Sequence, residues 1–188
     1  MARRNDLVGL TVLGLLTVRA SHPYELHRLI VDTHKDYVSG LPRSLYHAVE
    51  RLAEEELIVP VETSREGRRP ERTVYEITDE GRSELATRLR RLLETPDPDR
   101  RAFAAAISLI GCLPVPEALR ALRSRMATIQ GSLAGMDAHL SASELPEVLM
   151  LEVEYEHAVQ SAELAWLRGV VERIDKGTVA WDRKEYDL

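Results

Sequence analysis

The chain has 188 residues, of which 44% are hydrophobic and 30% are charged, and it contains one cysteine, Cys112. This is globular composition, long enough to bury a core without disulfides or metals. A single cysteine excludes an intramolecular disulfide and any zinc or redox motif built on cysteine pairs. No run reaches the ~18 apolar residues of a membrane span, so we expect a protein of the reducing cytoplasm that does not enter the membrane.

The net charge is −6, from 25 Lys+Arg against 31 Asp+Glu, and most of the acidic excess lies in residues 96–188. Residues 1–95 are nearly neutral. Net charge limits solubility and long-range steering, but it does not decide what a local patch of basic side chains binds. An acidic total therefore does not exclude nucleic-acid binding by the first half.

The first half opens with two predicted helices. Dense apolar residues between Leu7 and Val18 predict a helix buried on most sides, with Asn5 or Asp6 as its N-cap. In the next helix Pro23 suits the first turn, and Glu25 can complete a capping box.

A third helix, a hairpin and a fourth helix follow. The third helix spans residues 42–56 and carries an apolar stripe at helical spacing, Leu45, Val49 and Leu52. The β-branched runs Leu57–Val61 and Thr73–Ile77 predict a hairpin with a polar tip between them. Thr78 and the acids after it indicate the start of the fourth helix.

The segment Glu94–Asp99 contains two prolines and predicts a boundary between domains 1–95 and 96–188. The second domain is predicted to be all helix, over residues 100–112, 116–140 and 146–175. The fold class is therefore mainly α, with an all-helical second domain.

The last helix carries two faces suited to packing against other helices. One is an apolar seam at 3-4-3 spacing, and the other is a stripe of small residues that ends at Gly169. Two such faces need more than one neighbour, so we expect a homodimer. The residues predicted to form it are Leu151, Ala158, Ala162, Leu164, Ala165, Leu167, Val171 and Ile174.

Three helices followed by a hairpin are typical of a winged helix-turn-helix, whose third helix enters the major groove of DNA. On that helix Arg43, Ser44 and His47 share the outward arc, with Tyr46 at its edge. A guanidinium can make paired hydrogen bonds to guanine, and the other side chains supply donors and acceptors.

The hairpin tip carries four arginines, Arg65, Arg68, Arg69 and Arg72. Such a wing suits DNA phosphates or the minor groove, where arginine is favoured. The alternative is a charged tip that only keeps a strand edge in solution.

With these motifs the first ~95 positions resemble the DNA-binding domain of the PadR family of bacterial transcriptional regulators. The residues that carry the resemblance are Leu13–Leu16, His22–Leu26, Leu45–Tyr46, Arg51–Leu52, Leu57–Ile58, Val74–Thr78, Gly81 and Leu85. The helical second half resembles the larger C-terminal domain of one subgroup.

The resemblance implies a homodimeric repressor that a small effector, often phenolic or drug-like, releases from an inverted-repeat operator. Tyr24 and Arg51, which lie in the shared motifs, join the predicted DNA contacts. Three positions depart from the family pattern. Pro23 replaces a glycine, His47 replaces a proline, and Glu56 replaces the glycine that most easily forms a left-handed helix end.

Tyr155 and Trp166 are candidate walls of an effector pocket, and packing of large aromatics at an interface is the alternative. The six histidines form no metal-ligand spacing, and no catalytic motif appears, so we expect no metal, no cofactor and no enzyme activity. Two other classes stay open. One is a helical interaction or ligand-sensing module that does not bind DNA, and the other is a ligand carrier built around Trp166.

Overall fold

The computed structural model describes residues 6–64 and 72–181. They form seven α-helices and one antiparallel pair of strands, which confirms a mainly helical fold with a two-stranded wing. In chain order the elements are α1 (Leu7–Leu16), α2 (Pro23–Asp32), α3 (Arg43–Glu54), β1 (Ile58–Ser64), β2 (Arg72–Ile77), α4 (Asp79–Glu94), α5 (Arg100–Ser108), α6 (Val115–Ala142) and α7 (Leu151–Asp175).

The chain divides into two compact units, which among the described residues are 6–92 with 97–113, and 93–96 with 114–181. Helix α5 therefore belongs to the first unit, although we predicted a boundary at residues 95/96. A Cβ added at Gly14 of α1 would lie 2.6 Å from the side chain of Leu109, just after α5. The absence of a side chain at Gly14 therefore gives Leu109 room against α1. The division of functions between 1–95 and 96–188 stays a prediction.

Side-chain caps begin the first two helices, as predicted. Asp6 is the N-cap of α1, because the backbone N–H of Gly9 donates to its Oδ1 at 3.0 Å. At α2 the N–H of Tyr24 donates to Nδ1 of His22 at 3.0 Å, and the N–H of His22 donates to Glu25 at 2.9 Å. Both caps satisfy backbone donors that a helix start leaves unpaired.

The core of the first unit covers one face of α3. Its apolar stripe is almost fully buried and packs against α1, and it comprises Leu45, Ala48, Val49 and Leu52. The opposite face of α3 is exposed to solvent. Burying one stripe in this way fixes which side chains of the helix point outward.

The hairpin follows α3 directly. Strand β1 pairs with β2 from Ile58 opposite Ile77 to Ser64 opposite Arg72, with an irregularity between Pro60 and Glu62. The predicted hairpin is confirmed, and its first strand is three residues longer than predicted at the far end. Ser21 and Tyr75 exchange two backbone hydrogen bonds of 3.0 and 3.1 Å, which attach the wing to the segment before α2.

The C-terminal end of α3 differs from the expectation. Glu56 adopts the left-handed conformation, with φ of 57°, although it is not glycine. The N–H of Leu57 donates to the carbonyl of Leu52 at 2.9 Å, as in a glycine-ended helix. The close packing of the following strand requires this turn and overrides the preference of the residue.

Glu56→Gly is therefore expected to raise the free energy of unfolding by about 1 kcal/mol, because glycine adopts positive φ without a steric penalty. Urea unfolding measures the change. The control is Glu54→Gly at the last residue of α3, which should lower stability by about 0.5–1 kcal/mol. A destabilising Glu56→Gly would contradict this account of the helix end.

The second unit is built on α6 and α7, which pack along each other. Arg123 pairs with Asp175 at 2.7 Å, and Asp137 pairs with His157 at 2.9 Å. Because residues early in α6 meet residues late in α7, the two helices are antiparallel. Between these pairs Arg125, whose side chain is 3% exposed, pairs with Glu163 at 2.6 Å.

Candidate nucleic-acid interface

The exposed face of α3 presents a polar row at the start of the helix. Arg43, Tyr46, His47 and Glu50 are all exposed, and the buried stripe lies behind them. The structure thus brings three of the predicted DNA contacts together on one surface. Glu50 also lies there, three residues after His47, and was not among the predicted contacts.

One hydrogen bond and one polar contact connect this row. Nε of Arg43 donates to Nε2 of His47 at 3.4 Å. On the other side of the imidazole, Nδ1 of His47 lies 3.4 Å from a carboxylate oxygen of Glu50. The row therefore has a fixed order of cation, imidazole and carboxylate along the helix.

Ser44 and Tyr24 flank the row differently. The hydroxyl of Ser44 is half-buried and donates to the carbonyl of Ser39 at 3.0 Å, which leaves its oxygen lone pairs as acceptors. Tyr24 lies in the first turn of α2 and is 54% exposed. Both remain predicted contacts.

Arg51 lies closer to the core than the row does. Its guanidinium forms an ion pair with Asp6 and lies 3.9 Å from Glu55, with its side chain 31% exposed. Asp6 also caps α1, so Arg51 links the start of α1 to α3. Its predicted DNA contact is untested, and its charge is already partly balanced within the chain.

The wing is described only in part. Arg65, Arg68 and Arg69 lie outside the described residues, and of Arg72 the structure describes only the backbone, at the start of β2. Strand β1 begins beside α3, and β2 runs back from Arg72, opposite Ser64, to Ile77, opposite Ile58.

Helix α7 uses its two predicted faces differently. The apolar seam is buried within the second unit and comprises Leu164, Leu167, Val171 and Ile174. A single chain therefore already covers these side chains, because α6 packs along α7. The other predicted dimer residues are exposed, namely Leu151, Ala158, Ala162 and Ala165.

The two candidate effector residues share this exposed side of α7. Tyr155 is 60% exposed and Trp166 is 45% exposed. They are 11 residues apart, which is roughly 16 Å along a helix. One small aromatic molecule therefore does not span both side chains of the same helix.

None of the helices in the described ranges has the length and apolar character needed to cross a bilayer. Among the same residues, no three His, Cys, Asp or Glu side chains gather as a metal site would require.

Three helices, an antiparallel wing and an outward row on the third helix define a winged helix-turn-helix protein. Residues 12–87 match the family model described as the transcriptional regulator PadR-like family. Over these residues the chain matches a family of transcriptional regulators, not of enzymes. Comparison with curated proteins gives no significant match.

Similar solved structures include Bacillus subtilis PadR in complex with operator DNA. The two sequences are 20% identical, the TM-score is 0.43, and the alignment covers 88% of this chain and 98% of that chain. The same protein in complex with p-coumaric acid gives 17% identity, a TM-score of 0.41, and coverage of 90% and 99%. The protein smu.1604c of Streptococcus mutans UA159 gives 18% identity, a TM-score of 0.42, and coverage of 87% and 98%.

Proposed function

We propose that this protein is a cytoplasmic homodimeric repressor that reads an inverted-repeat operator with α3 and leaves it when a small effector binds. The observation that carries the proposal is the exposed row on α3, opposite its buried stripe, inside the family-matched residues. A helix of this kind fits the major groove of B-DNA, where each base pair presents a distinct hydrogen-bonding pattern.

The predicted contacts divide into two kinds. Arg43, Ser44 and His47, with Tyr46 beside them, form the surface that faces the base edges, where Arg43 supplies the paired donors that read them. Tyr24, Arg51 and the wing arginines 65, 68, 69 and 72 supply contacts to the DNA backbone, which position the protein without reading sequence.

A mobility-shift titration tests the proposal, with duplex DNA from upstream of the protein's own gene at two salt concentrations. We expect specific binding that weakens steeply as salt rises, because bound arginines displace counterions. A protein that shifts neither this DNA nor a competitor duplex at low salt is a helical interaction module or a ligand carrier instead.

The double variant Arg68→Ala/Arg69→Ala is expected to weaken binding to all sequences and to lower the slope of log K against log salt by about 2. Fluorescence anisotropy over a salt series measures the slope. The control Arg120→Ala/Arg168→Ala removes the same charge from exposed positions of the second unit and should leave the slope unchanged. An unchanged slope in the wing variant would remove the wing from the interface.

The homodimer is supported by the exposed side of α7. Leu151, Tyr155, Ala158, Ala162 and Ala165 repeat at intervals of four and three residues and continue to Gly169. This is the spacing of a helix–helix seam, and small side chains let two backbones approach closely. A two-fold dimer that reads successive turns of DNA should hold its two α3 helices about 34 Å apart.

Ala162→Arg is expected to turn the dimer into a monomer, because it places a charged, long side chain in the middle of the seam. Light scattering after size exclusion measures the mass. Glu156→Arg is the control, since it introduces the same side chain about 120° around the helix from Ala162. A dimer that survives Ala162→Arg must use another surface.

The effector is proposed to be a small aromatic molecule that binds beside Trp166 or Tyr155. Partly exposed aromatic rings stack well on such ligands. An effector releases DNA only if it binds one dimer arrangement more tightly than the other. Quenching of tryptophan fluorescence by phenolic acids, lost in Trp166→Leu, tests the site.

A further inference from the structure

We propose that His47 and Glu50 are positioning residues that hold Arg43 ready to read a guanine in the major groove. This inference rests on the proposed function and adds to it the arrangement that selects the base. It is carried by the two contacts that link the exposed row of α3.

The three residues lie on one face of the helix at intervals of four and three. Such residues are neighbours on a helix surface, and their side chains meet without distortion. Nε of Arg43 and Nε2 of His47 are 3.4 Å apart, and Nδ1 of His47 and the Glu50 carboxylate are also 3.4 Å apart. The carboxylate therefore lies on the side of the imidazole away from Arg43.

The chemistry of these groups fixes which atom donates and which accepts in the Arg43–His47 hydrogen bond. An arginine nitrogen only donates, so Nε2 of His47 must be the acceptor of that contact. A neutral imidazole with an accepting Nε2 carries its proton on Nδ1, which then faces the Glu50 carboxylate 3.4 Å away. Glu50 thus favours the tautomer that can hold Arg43.

The contact uses Nε of Arg43 and leaves both terminal nitrogens for a ligand. Within residues 6–64 and 72–181, nothing bonds to Nη1 or Nη2. Guanine presents two acceptors, O6 and N7, to a pair of arginine N–H groups. We therefore assign the guanine to the terminal nitrogens of Arg43.

If the Arg43 side chain is already held in place before DNA binds, less side-chain entropy is lost on binding. Immobilising one long side chain costs a factor of about 2 to 10 in affinity. Losing His47 or Glu50 should therefore lower the preference for guanine at the Arg43 position by about that factor. Losing Arg43 itself should abolish the preference, which corresponds to about tenfold or more.

The experiment is selection of bound sequences from a duplex pool with a randomised core, using the full chain. Arg43→Ala identifies the base pair that depends on this side chain. His47→Ala and Glu50→Ala should each weaken the guanine preference at that same base pair. His47→Gln and Glu50→Gln should restore most of it, because an amide can accept from Arg43 at position 47 and from the imidazole at position 50.

Three outcomes overturn the inference while the proposed function stands. The first is that His47→Ala and Glu50→Ala keep the full guanine preference. The second is that these variants change the preference at a different base pair, as expected if the two side chains read bases themselves. The third is that the glutamine variants behave like the alanine variants. If the wild-type chain enriches no sequence, the proposed function and the inference fail together. Thermal unfolding of each variant, expected to match wild type because all three side chains are exposed, shows that folding is intact.

Discussion

Glu163→Ala is expected to lower the free energy of unfolding by about 3 kcal/mol, since removing one partner of a buried ion pair leaves the other charge uncompensated. The side chain of Arg125 is 3% exposed, and its Nε donates to Glu163 at 2.6 Å. Its Nη1 also donates to the carbonyl of Thr95 at 3.0 Å. The variant removes the carboxylate and keeps the buried cation.

The same two helices supply the control. Arg123 and Asp175 form an ion pair of similar length, 2.7 Å, but their side chains are 55% and 44% exposed. Asp175→Ala should therefore cost about 1 kcal/mol or less. Urea unfolding compares the two, and equal losses would show that burial does not govern these pairs. Arg125→Met should cost less than Glu163→Ala, because it removes the buried charge itself.

Gly81→Ala is expected to destabilise the protein by about 3 kcal/mol, because the close-packed backbone beside α4 has no room for a methyl group. A Cβ at Gly81 would lie 2.1 Å from the carbonyl oxygen of Leu57 and 2.8 Å from Cγ1 of Ile77. The N–H of Gly81 also donates to the hydroxyl of Thr78 at 3.0 Å. The start of α4 is thereby held against the base of the wing.

Gly131→Ala on α6 is the matched control. No atom lies within 4 Å of a Cβ at that position, so alanine adds helix propensity without a clash. It should raise stability by about 0.5–1 kcal/mol. Calorimetric melting of both variants measures the difference, and a harmless Gly81→Ala would mean that α4 does not approach the wing so closely.

The sequence predicted the elements that depend on local pattern. The stripe Leu45, Val49 and Leu52 identified the buried face of α3, and the β-branched runs identified the hairpin. Those signals repeat at the period of the element itself, so they can be read without knowing the neighbours. The outward position of Arg43 and His47 followed from the same stripe.

Features that depend on distant partners could not be predicted in this way. The pairing of Arg51 with Asp6 joins residues 45 positions apart. The seam of Leu164 and Leu167 is apolar in sequence, but only the structure shows that α6 of the same chain covers it. Periodicity shows that a face will be buried, and it does not show by what.

Glu56 illustrates a third limit. Its residue type argues against a left-handed helix end, yet the chain must turn there so that β1 can follow α3. Tertiary packing overrides a local preference worth about 1–2 kcal/mol. Such positions stand out only once the conformation is known.

The central claim is that two α3 helices, related by a two-fold axis, read duplex DNA. A hydroxyl-radical footprint of the full chain on its selected duplex tests this most directly. We expect two protected patches of inverted sequence whose centres are about 10 base pairs, or a multiple of that, apart. A single unpaired patch, or protection that ignores sequence, would contradict it.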